Sequence, residues 1–152
     1  MNWQHIFDLL HAEMASGIVA SSMVRLILAA ILGGLIGLER ELKHQPAGLR
    51  TNMFICFGAA LFTVLSDLLA VEHLGDHTRI SAQIIPGIGF IGAGSILHQR
   101  GLTTGLTTAA TLFVVASVGM ATGGGLYMTA VLPRSWCWSF YLPSATWSKL
   151  LI

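Results

Sequence analysis

The side chains in this sequence that could do chemistry are few, and the acidic ones all lie in the first half of the chain. All seven acidic residues occur before position 77, and the last of them is Asp76. The second half therefore offers no carboxylate for general acid–base catalysis or for binding a hard divalent cation. This distribution argues against most classes of enzyme, and we predict no catalytic residue, no bound metal and no cofactor.

Two charged residues fall inside long apolar runs. Arg25 lies early in the first run, and Asp67 lies near the end of the second. With a helical rise of about 1.5 Å per residue, both lie roughly 6 to 11 Å from the same membrane surface. An isolated charge in the bilayer is costly, so we expect the two side chains to pair or to face an interior cavity. Such a pair is either a structural contact or part of an ion or proton path.

A dense group of charges occupies the connection between the first two apolar runs. Glu39, Arg40 and Glu41 follow the first run, and Arg50 and Thr51 begin the second. One interpretation is structural: an interfacial cluster of ion pairs in which the carboxylates and Arg50 orient both helix ends. The other interpretation is functional and makes the same cluster a cytoplasmic docking site.

The second connection is also polar, with two histidines and two carboxylates between positions 72 and 77. Histidines four residues apart beside carboxylates form, in principle, a divalent-metal site. Two carboxylates in a short exposed loop make a weak, hydrated site at best, because Mg²⁺ requires an octahedral set of oxygens. We interpret this connection as a solvated polar turn.

A glycine-rich apolar segment follows Pro86. Its spacing matches the dinucleotide-binding fingerprint by letter, but that motif requires a strand-to-helix turn and an acidic residue about 20 positions later. The sequence has no acidic residue after Asp76. Small residues instead allow helices in a membrane to approach closely. We interpret the segment as a helix-packing surface formed by Gly87, Gly89, Gly92 and Gly94.

Two further glycine pairs have the G-x-x-x-G spacing of close helix contacts. Gly33 and Gly37 lie in the first apolar run, and Gly119 and Gly123 lie in the last. The grooves that such pairs create either pack against other helices of the same chain or recruit a partner span. We favour packing within the chain.

Threonines recur every four residues after the glycine-rich segment. Thr103, Thr107 and Thr111 would lie along one face of a helix, with Thr108 beside them. A threonine hydroxyl in lipid bonds to a carbonyl of its own helix or to a neighbouring helix. The simpler interpretation is contact between helices, and the alternative is a polar lining for a small pathway.

The composition requires a lipid environment around these groups. Hydrophobic residues make up 54% of the 152 residues and charged residues 10%, which is too little polar surface for a soluble domain. The net charge of +1 gives no electrostatic footprint for nucleic acid. A hydrocarbon core of about 30 Å requires roughly 20 helical residues. Four runs approach that length, so we predict an all-α, polytopic transmembrane helix bundle with spans at Ile18 to Leu38, Thr51 to Val71, Ile80 to Leu97 and Leu106 to Thr122.

The basic residues between these spans predict their orientation. Arg40, Lys43 and Arg50 crowd the first connection, and the third connection carries Arg100. The positive-inside rule therefore places these two connections in the cytoplasm and the N-terminus outside.

The end of the chain differs from the rest. Residues 126 to 132 begin like a fifth span, but Pro133 interrupts the run and three tryptophans follow. We divide the chain into an N-terminal periplasmic segment (1–17), a transmembrane domain (18–132) and an atypical tryptophan-rich tail (133–152). The tail is either an interfacial aromatic anchor after a degraded fifth span or a truncated or frame-shifted end.

Five sequence blocks, in this order, resemble the MgtC/SapB family of bacterial inner-membrane proteins. The resemblance covers about residues 24 to 130 and departs from the family pattern at Pro86 and Phe113. The blocks are GLIGLERE at 34–41, AGLRT at 47–51, RISAQ at 79–83, GIGFIGAG at 87–94 and GLTTAA at 105–110.

The resemblance implies a multi-pass protein of the bacterial inner membrane that is linked to growth at low magnesium and, in some pathogens, to survival inside macrophages and virulence. It implies a regulatory role exerted on other membrane complexes such as the proton-translocating ATP synthase. The alternative is a transporter, or transport component, for magnesium or another cation. Expected partners are the lipid bilayer, such a membrane complex and further copies of the chain. Many family members carry a cytoplasmic C-terminal domain, which we do not expect here.

Overall fold

The computed structural model describes residues 17–73, 76–99 and 102–132, so the predicted tail and almost all of the predicted periplasmic segment lie outside it. The described part of the chain begins with two long helices, α1 (Ile18–Leu42) and α2 (Leu49–His73). A 3-10 turn (Ser81–Gln83) leads into α3 (Ile84–Ser95). An antiparallel hairpin of β1 (Leu97–Gln99) and β2 (Leu102–Thr104) then precedes α4 (Leu106–Gly123). A short helix, α5, occupies residues 127–132.

Among the described residues, three helices are long and apolar enough to cross a membrane: α1, the Leu49–Ala70 part of α2, and α4. Their outer surfaces expose large apolar side chains such as Ile27, Ile31 and Phe54. In water such a surface would be unfavourable, whereas lipid tails solvate it. The prediction of an α-helical membrane protein is confirmed.

The third predicted span is shorter than expected. Helix α3 has 12 residues and is therefore about 18 Å long, well below the hydrocarbon thickness of about 30 Å. The cause is Pro86, which lies in the first turn of α3 and has no N–H to donate to a carbonyl one turn earlier. The chain before it is wound as a turn and a 3-10 helix instead of a continuous α-helix. The predicted count of four spans is thus not confirmed.

The hairpin after α3 replaces part of the predicted threonine face. Thr103 lies in β2, paired with His98 of β1, so the prediction that it continues the helical face of Thr107 is wrong. The turn from β2 into α4 occurs at Gly105, whose φ is 91°. A Cβ at this position would collide with the carbonyl of Ser95. Only glycine combines this left-handed conformation with so close an approach, and α4 therefore begins one residue later.

Helix α2 lies at the centre of the bundle, between α1 and α4. On one side, a Cβ added to Gly37 of α1 would lie 2.7 Å from the Cα of Leu49. On the other side, a Cβ added to Gly123 of α4 would lie 2.6 Å from the carbonyl oxygen of Ala60. Their partners Gly33 and Gly119 make similarly close approaches to α2. Both G-x-x-x-G pairs therefore pack within the chain, as predicted.

The glycines of α3 behave differently from those of α1 and α4. Gly92 packs against Ala109 of α4, where an added Cβ would meet the Ala109 Cβ at 3.5 Å. Space around Gly87, Gly89 and Gly94 is open, with nothing within 4 Å of an added Cβ among the described residues. Of the predicted packing surface on α3, only Gly92 contacts another helix in this part of the chain.

A layer of buried apolar side chains separates two polar ends of the bundle. Five side chains that are at most 1% exposed form it: Ala29, Cys56, Ala60, Val115 and Val118. We call one end the Arg40 end; it comprises the end of α1 and the starts of α2 and α4. We call the other the Arg25 end; it comprises the start of α1, the end of α2 and the end of α4.

Candidate functional site

The buried guanidinium of Arg40 organises the Arg40 end. Only 8% of this residue is exposed. Its Nη2 donates to the carbonyl of Pro46 at 2.7 Å and to the hydroxyl of Thr108 at 3.0 Å. Its Nη1 donates to the hydroxyl of Thr111 at 3.0 Å, and Nε lies 3.3 Å from the carbonyl of Ala47. One planar fork of donors therefore ties the loop after α1 to the start of α4.

The local backbone explains why the loop needs this support. Helix α1 ends in a Schellman motif, in which the Gln45 amide donates to the Arg40 carbonyl and the His44 amide to the Glu41 carbonyl. His44 and Ala47 have φ values of 52° and 57°. Side-chain-bearing residues adopt this left-handed region at a cost of roughly 1–2 kcal/mol each. The hydrogen bonds from Arg40 to the loop carbonyls offset that strain.

Two further side chains fix the start of α2. A carboxylate oxygen of Glu41 accepts a hydrogen bond from the Leu49 amide at 2.8 Å, which satisfies a free donor and places negative charge at a helix N-terminus. The side-chain amide of Asn52, which is fully buried, donates to the carbonyls of Ala47 and Gly48. Sequence reasoning missed Asn52. Its signal was an amide one turn into an otherwise apolar run, where the unpaired polar group would be costly.

The predicted charge cluster is therefore divided into parts with different roles. Glu39 forms an exposed ion pair with Lys43 one turn later, and such a pair contributes little to stability. Thr107 is exposed, and its carbonyl accepts a hydrogen bond from Thr111. Arg50 is exposed in the first turn of α2, and no hydrogen bond or ion pair links it to any residue that the structure describes.

Arg50 is the member of the cluster that the fold does not explain. A cation at a helix N-terminus is opposed by the helix dipole, at a cost of roughly 0.3–1 kcal/mol. Glu41 caps α2 and Arg40 holds the loop, so the contacts of the described residues assign the orienting of the helix ends to these two side chains.

At the Arg25 end, the predicted direct pair between Arg25 and Asp67 is wrong. Nη1 of Arg25 donates to the carbonyl of Gly123 at 2.8 Å, where the C-terminal carbonyls of α4 attract a cation. Asp67 lies across from His77, whose Nδ1 is 3.7 Å from the carboxylate. The two charged residues nevertheless line one cavity of about 540 Å³, the other arrangement expected of them.

The connection between α2 and α3 is a capped turn. A carboxylate oxygen of Asp76 accepts hydrogen bonds from the amide and the hydroxyl of Thr78 at 2.9 and 2.7 Å. These bonds, the backbone one first, hold the pKa of Asp76 below its usual range. Within the described residues, no three His, Cys, Asp or Glu side chains come together in an arrangement that could hold a metal ion.

Comparison with known proteins gives one family and several relatives. Residues 26–139 match the model of the MgtC family. A protein of Escherichia coli (strain K12) named "Putative magnesium transporter YhiD" is 48% identical over 114 residues, which cover 71% of this chain and 53% of that protein. "Protein MgtC" of Brucella abortus (strain 2308) is 48% identical over 104 residues, covering 68% of this chain and 43% of that protein.

A protein of Haemophilus influenzae named only as uncharacterized is 42% identical over 117 residues, covering 71% of this chain and 49% of its own length. The chain thus spans about half the length of the curated relatives that it matches. No solved structure matches the chain at a significant level.

Proposed function

Because the chain belongs to the MgtC family, we propose that it is a protein of the bacterial inner membrane that supports adaptation to low magnesium by acting on other membrane complexes. The proton-translocating ATP synthase is the complex that we propose first. A contribution to survival inside macrophages, and so to virulence, would follow from this adaptation in a pathogen. In this proposal the protein regulates a partner and does not itself carry an ion across the membrane.

The observation that carries the proposal is the exposed Arg50 on a fixed support. The Arg40 guanidinium, the Glu41 carboxylate and the Asn52 amide hold the neighbouring loop and helix start in one conformation. Arg50 projects from this support without a partner among the described residues. The backbone that carries this cation is already ordered, so binding has to order little besides the Arg50 side chain, and this end suits docking to an acidic surface on a partner.

The apolar layer supports regulation over transport. A path for a hydrated cation requires polar groups through the bilayer. The described residues place Ala29, Cys56 and Val115, all fully buried, between the Arg40 end and the Arg25 end. Buried apolar side chains therefore separate the polar groups of the two ends.

Magnesium transport is the second candidate, and one observation favours it besides the printed name of the relative from Escherichia coli. Asp67 is an intramembrane carboxylate whose side chain remains 42% exposed to a cavity. Intramembrane acids of this kind mark ion pathways in many transporters. A transport function would require the apolar layer to open.

Growth of a deletion strain in magnesium-poor medium tests the docking proposal. The strain is complemented with the unchanged chain, with Arg50→Ala, or with the control Gln45→Ala, all at matched levels in the membrane. Gln45 is an exposed residue of the loop that precedes α2. We expect rescue by the unchanged chain and by Gln45→Ala, and loss of rescue with Arg50→Ala. Full rescue by Arg50→Ala would contradict a role for this end in docking.

A flux measurement separates the two candidates. The purified chain is reconstituted in liposomes that contain a magnesium-sensitive dye. Regulation predicts no magnesium entry above that of empty liposomes, together with co-purification of a membrane complex that Arg50→Ala abolishes. Entry that depends on Asp67, measured by its loss in Asp67→Asn, would favour transport instead.

A further inference from the structure

The cavity at the Arg25 end has features that neither folding nor the proposed function uses. It measures about 540 Å³, within the usual range of small-molecule sites. It lies between the start of α1, the end of α2 and the turn before α3. Its polar wall consists of Ser21, Ser22, Arg25, Asp67 and His77.

The cation in this wall has unused hydrogen-bonding capacity. Arg25 has five N–H donors, and one of them is used by the carbonyl of Gly123. Its Nε is buried and has no acceptor among the described residues. An arginine at this depth in a membrane is expected to be fully paired. The remaining donors of the guanidinium therefore require an acceptor that this part of the chain does not supply.

The anion in this wall is also incompletely paired. The closest basic atom to the Asp67 carboxylate among the described residues is Nδ1 of His77, at 3.7 Å, which is beyond hydrogen-bonding distance. Asp67 and Arg25 do not contact each other, although both line the same cavity. The cavity thus presents an acceptor for a cation and donors for an anion at two separate places.

We propose that this cavity binds a zwitterion with a phosphate ester and a primary ammonium group, that is, an ethanolamine phosphate group. The phosphate would accept hydrogen bonds from Arg25, whose guanidinium geometry suits phosphate oxygens, and from the hydroxyls of Ser21 and Ser22. The ammonium would donate to Asp67. Either a phospholipid head group or free ethanolamine phosphate carries this chemistry.

Simpler ligands fit the cavity less well. Asp67 would repel a lone anion bound near Arg25. A divalent cation requires several oxygen ligands, and Asp67 is the one carboxylate that the described residues contribute to the lining of this cavity. The cavity lies near the end of the bundle at which α1 begins, because Arg25 is seven residues, or about 10 Å of helix, beyond the first residue of α1. Val64 and Leu68 supply an apolar wall against which a glycerol and the first acyl carbons would pack.

Binding of short-chain lipids to the delipidated full chain in detergent tests the proposal. The probes are dioctanoyl phosphatidylethanolamine, its mono- and dimethylated forms, dioctanoyl phosphatidylcholine and free ethanolamine phosphate. Each methyl group removes an N–H donor while keeping the positive charge. We expect affinity to fall along the series, with phosphatidylcholine binding roughly tenfold to a hundredfold more weakly, since a charge-assisted hydrogen bond to Asp67 is lost.

Asp67→Asn provides the matched variant. It removes the negative charge with little change in volume. We expect it to abolish the preference for the primary amine. The melting temperature measured without lipid should stay close to that of the unchanged chain. Because the methylation series uses the unchanged protein, the test holds even if this variant folds poorly. Equal affinity across the series would overturn the proposal, as would a well-folded Asp67→Asn that keeps the preference. If free ethanolamine phosphate binds as tightly as the lipid, the ligand is the soluble compound. If it binds much more weakly, the ligand is the phospholipid head group.

Discussion

Removal of the Arg40 guanidinium is expected to open the loop between α1 and α2. In Arg40→Gln, the carbonyls of Pro46 and Ala47 lose a charged donor. The hydroxyl of Thr111 loses less, because it already donates to the carbonyl of Thr107. A buried acceptor left without a donor costs about 1–3 kcal/mol. Because Pro46 is exposed, water can replace the donor that its carbonyl loses. We therefore expect the free energy needed to open the loop to fall by about 2–4 kcal/mol, the lower part of the range for two such acceptors.

Cleavage by trypsin after Lys43 measures this opening directly. When opening and closing are fast, cleavage follows the population of the open form. A loss of about 2–4 kcal/mol corresponds to roughly a 30-fold to 1,000-fold rise in that population and in the cleavage rate. The matched control is Arg50→Gln, which removes a neighbouring arginine that is exposed and makes no hydrogen bond or ion pair with a described residue.

We expect the control to be cleaved after Lys43 at the rate of the unchanged chain. If Arg40→Gln were cleaved no faster than Arg50→Gln, the hydrogen bonds from Arg40 would not be what holds the loop. The candidate site would then lose its fixed support, and with it the argument that Arg50 is preorganised for docking.

Two further predictions concern the packing and the second connection. Gly37→Ala should disturb the close contact between α1 and α2, since the added Cβ would lie 2.7 Å from the Leu49 Cα. We expect the free energy of unfolding to fall by about 1–3 kcal/mol, and the melting temperature measured by fluorescence-detected size exclusion to fall with it. The matched change Gly89→Ala, where the space is open, should leave that temperature unchanged, and equal effects would contradict internal packing. The hydrogen bonds between Asp76 and Thr78 should persist at acidic pH. The pKa of Asp76 is lowered in the folded state, so the stability that these bonds contribute is complete above the ordinary pKa of aspartate. It is lost only as the pH falls through the lowered value. Hydrogen exchange of the Thr78 amide, measured as a function of pH, tests this prediction. An Asp76→Asn variant with the same pH profile as the unchanged chain would refute it.

Much of the fold was predictable because it depends on local properties of the chain. The length of the apolar runs predicted α1, α2 and α4, since a helix is the conformation that satisfies its own backbone in lipid. The spacing of Gly33 and Gly37 predicted close packing within the chain, because residues four apart lie on one helix face. Pro86 also acts locally: it has no N–H to donate and sets where α3 begins, whereas the apolar run around it predicted a full-length span.

The candidate site was predictable only in part, because its contacts join residues that are distant in sequence. The charges at positions 39 to 50 marked the right region, but their spacing is equally consistent with ion pairs and with contacts to other helices. Arg40 bonds to Thr108, 68 positions away, and Arg25 bonds to Gly123, 98 positions away. Which acceptor a buried arginine reaches depends on which helices meet at that level of the bundle.

The sequence by itself thus determined the membrane environment, three of the long apolar helices that the described residues form, and the glycines of α1 and α4 at which those helices approach α2 most closely. These follow from hydrophobicity and from side-chain size, which each segment carries with it. Only the tertiary structure decided that Arg40 stabilises a loop while Arg50 remains exposed, and that Arg25 and Asp67 face one cavity without pairing. Hydrogen bonds and ion pairs act over a few ångströms, so their partners are fixed only when the helices have packed.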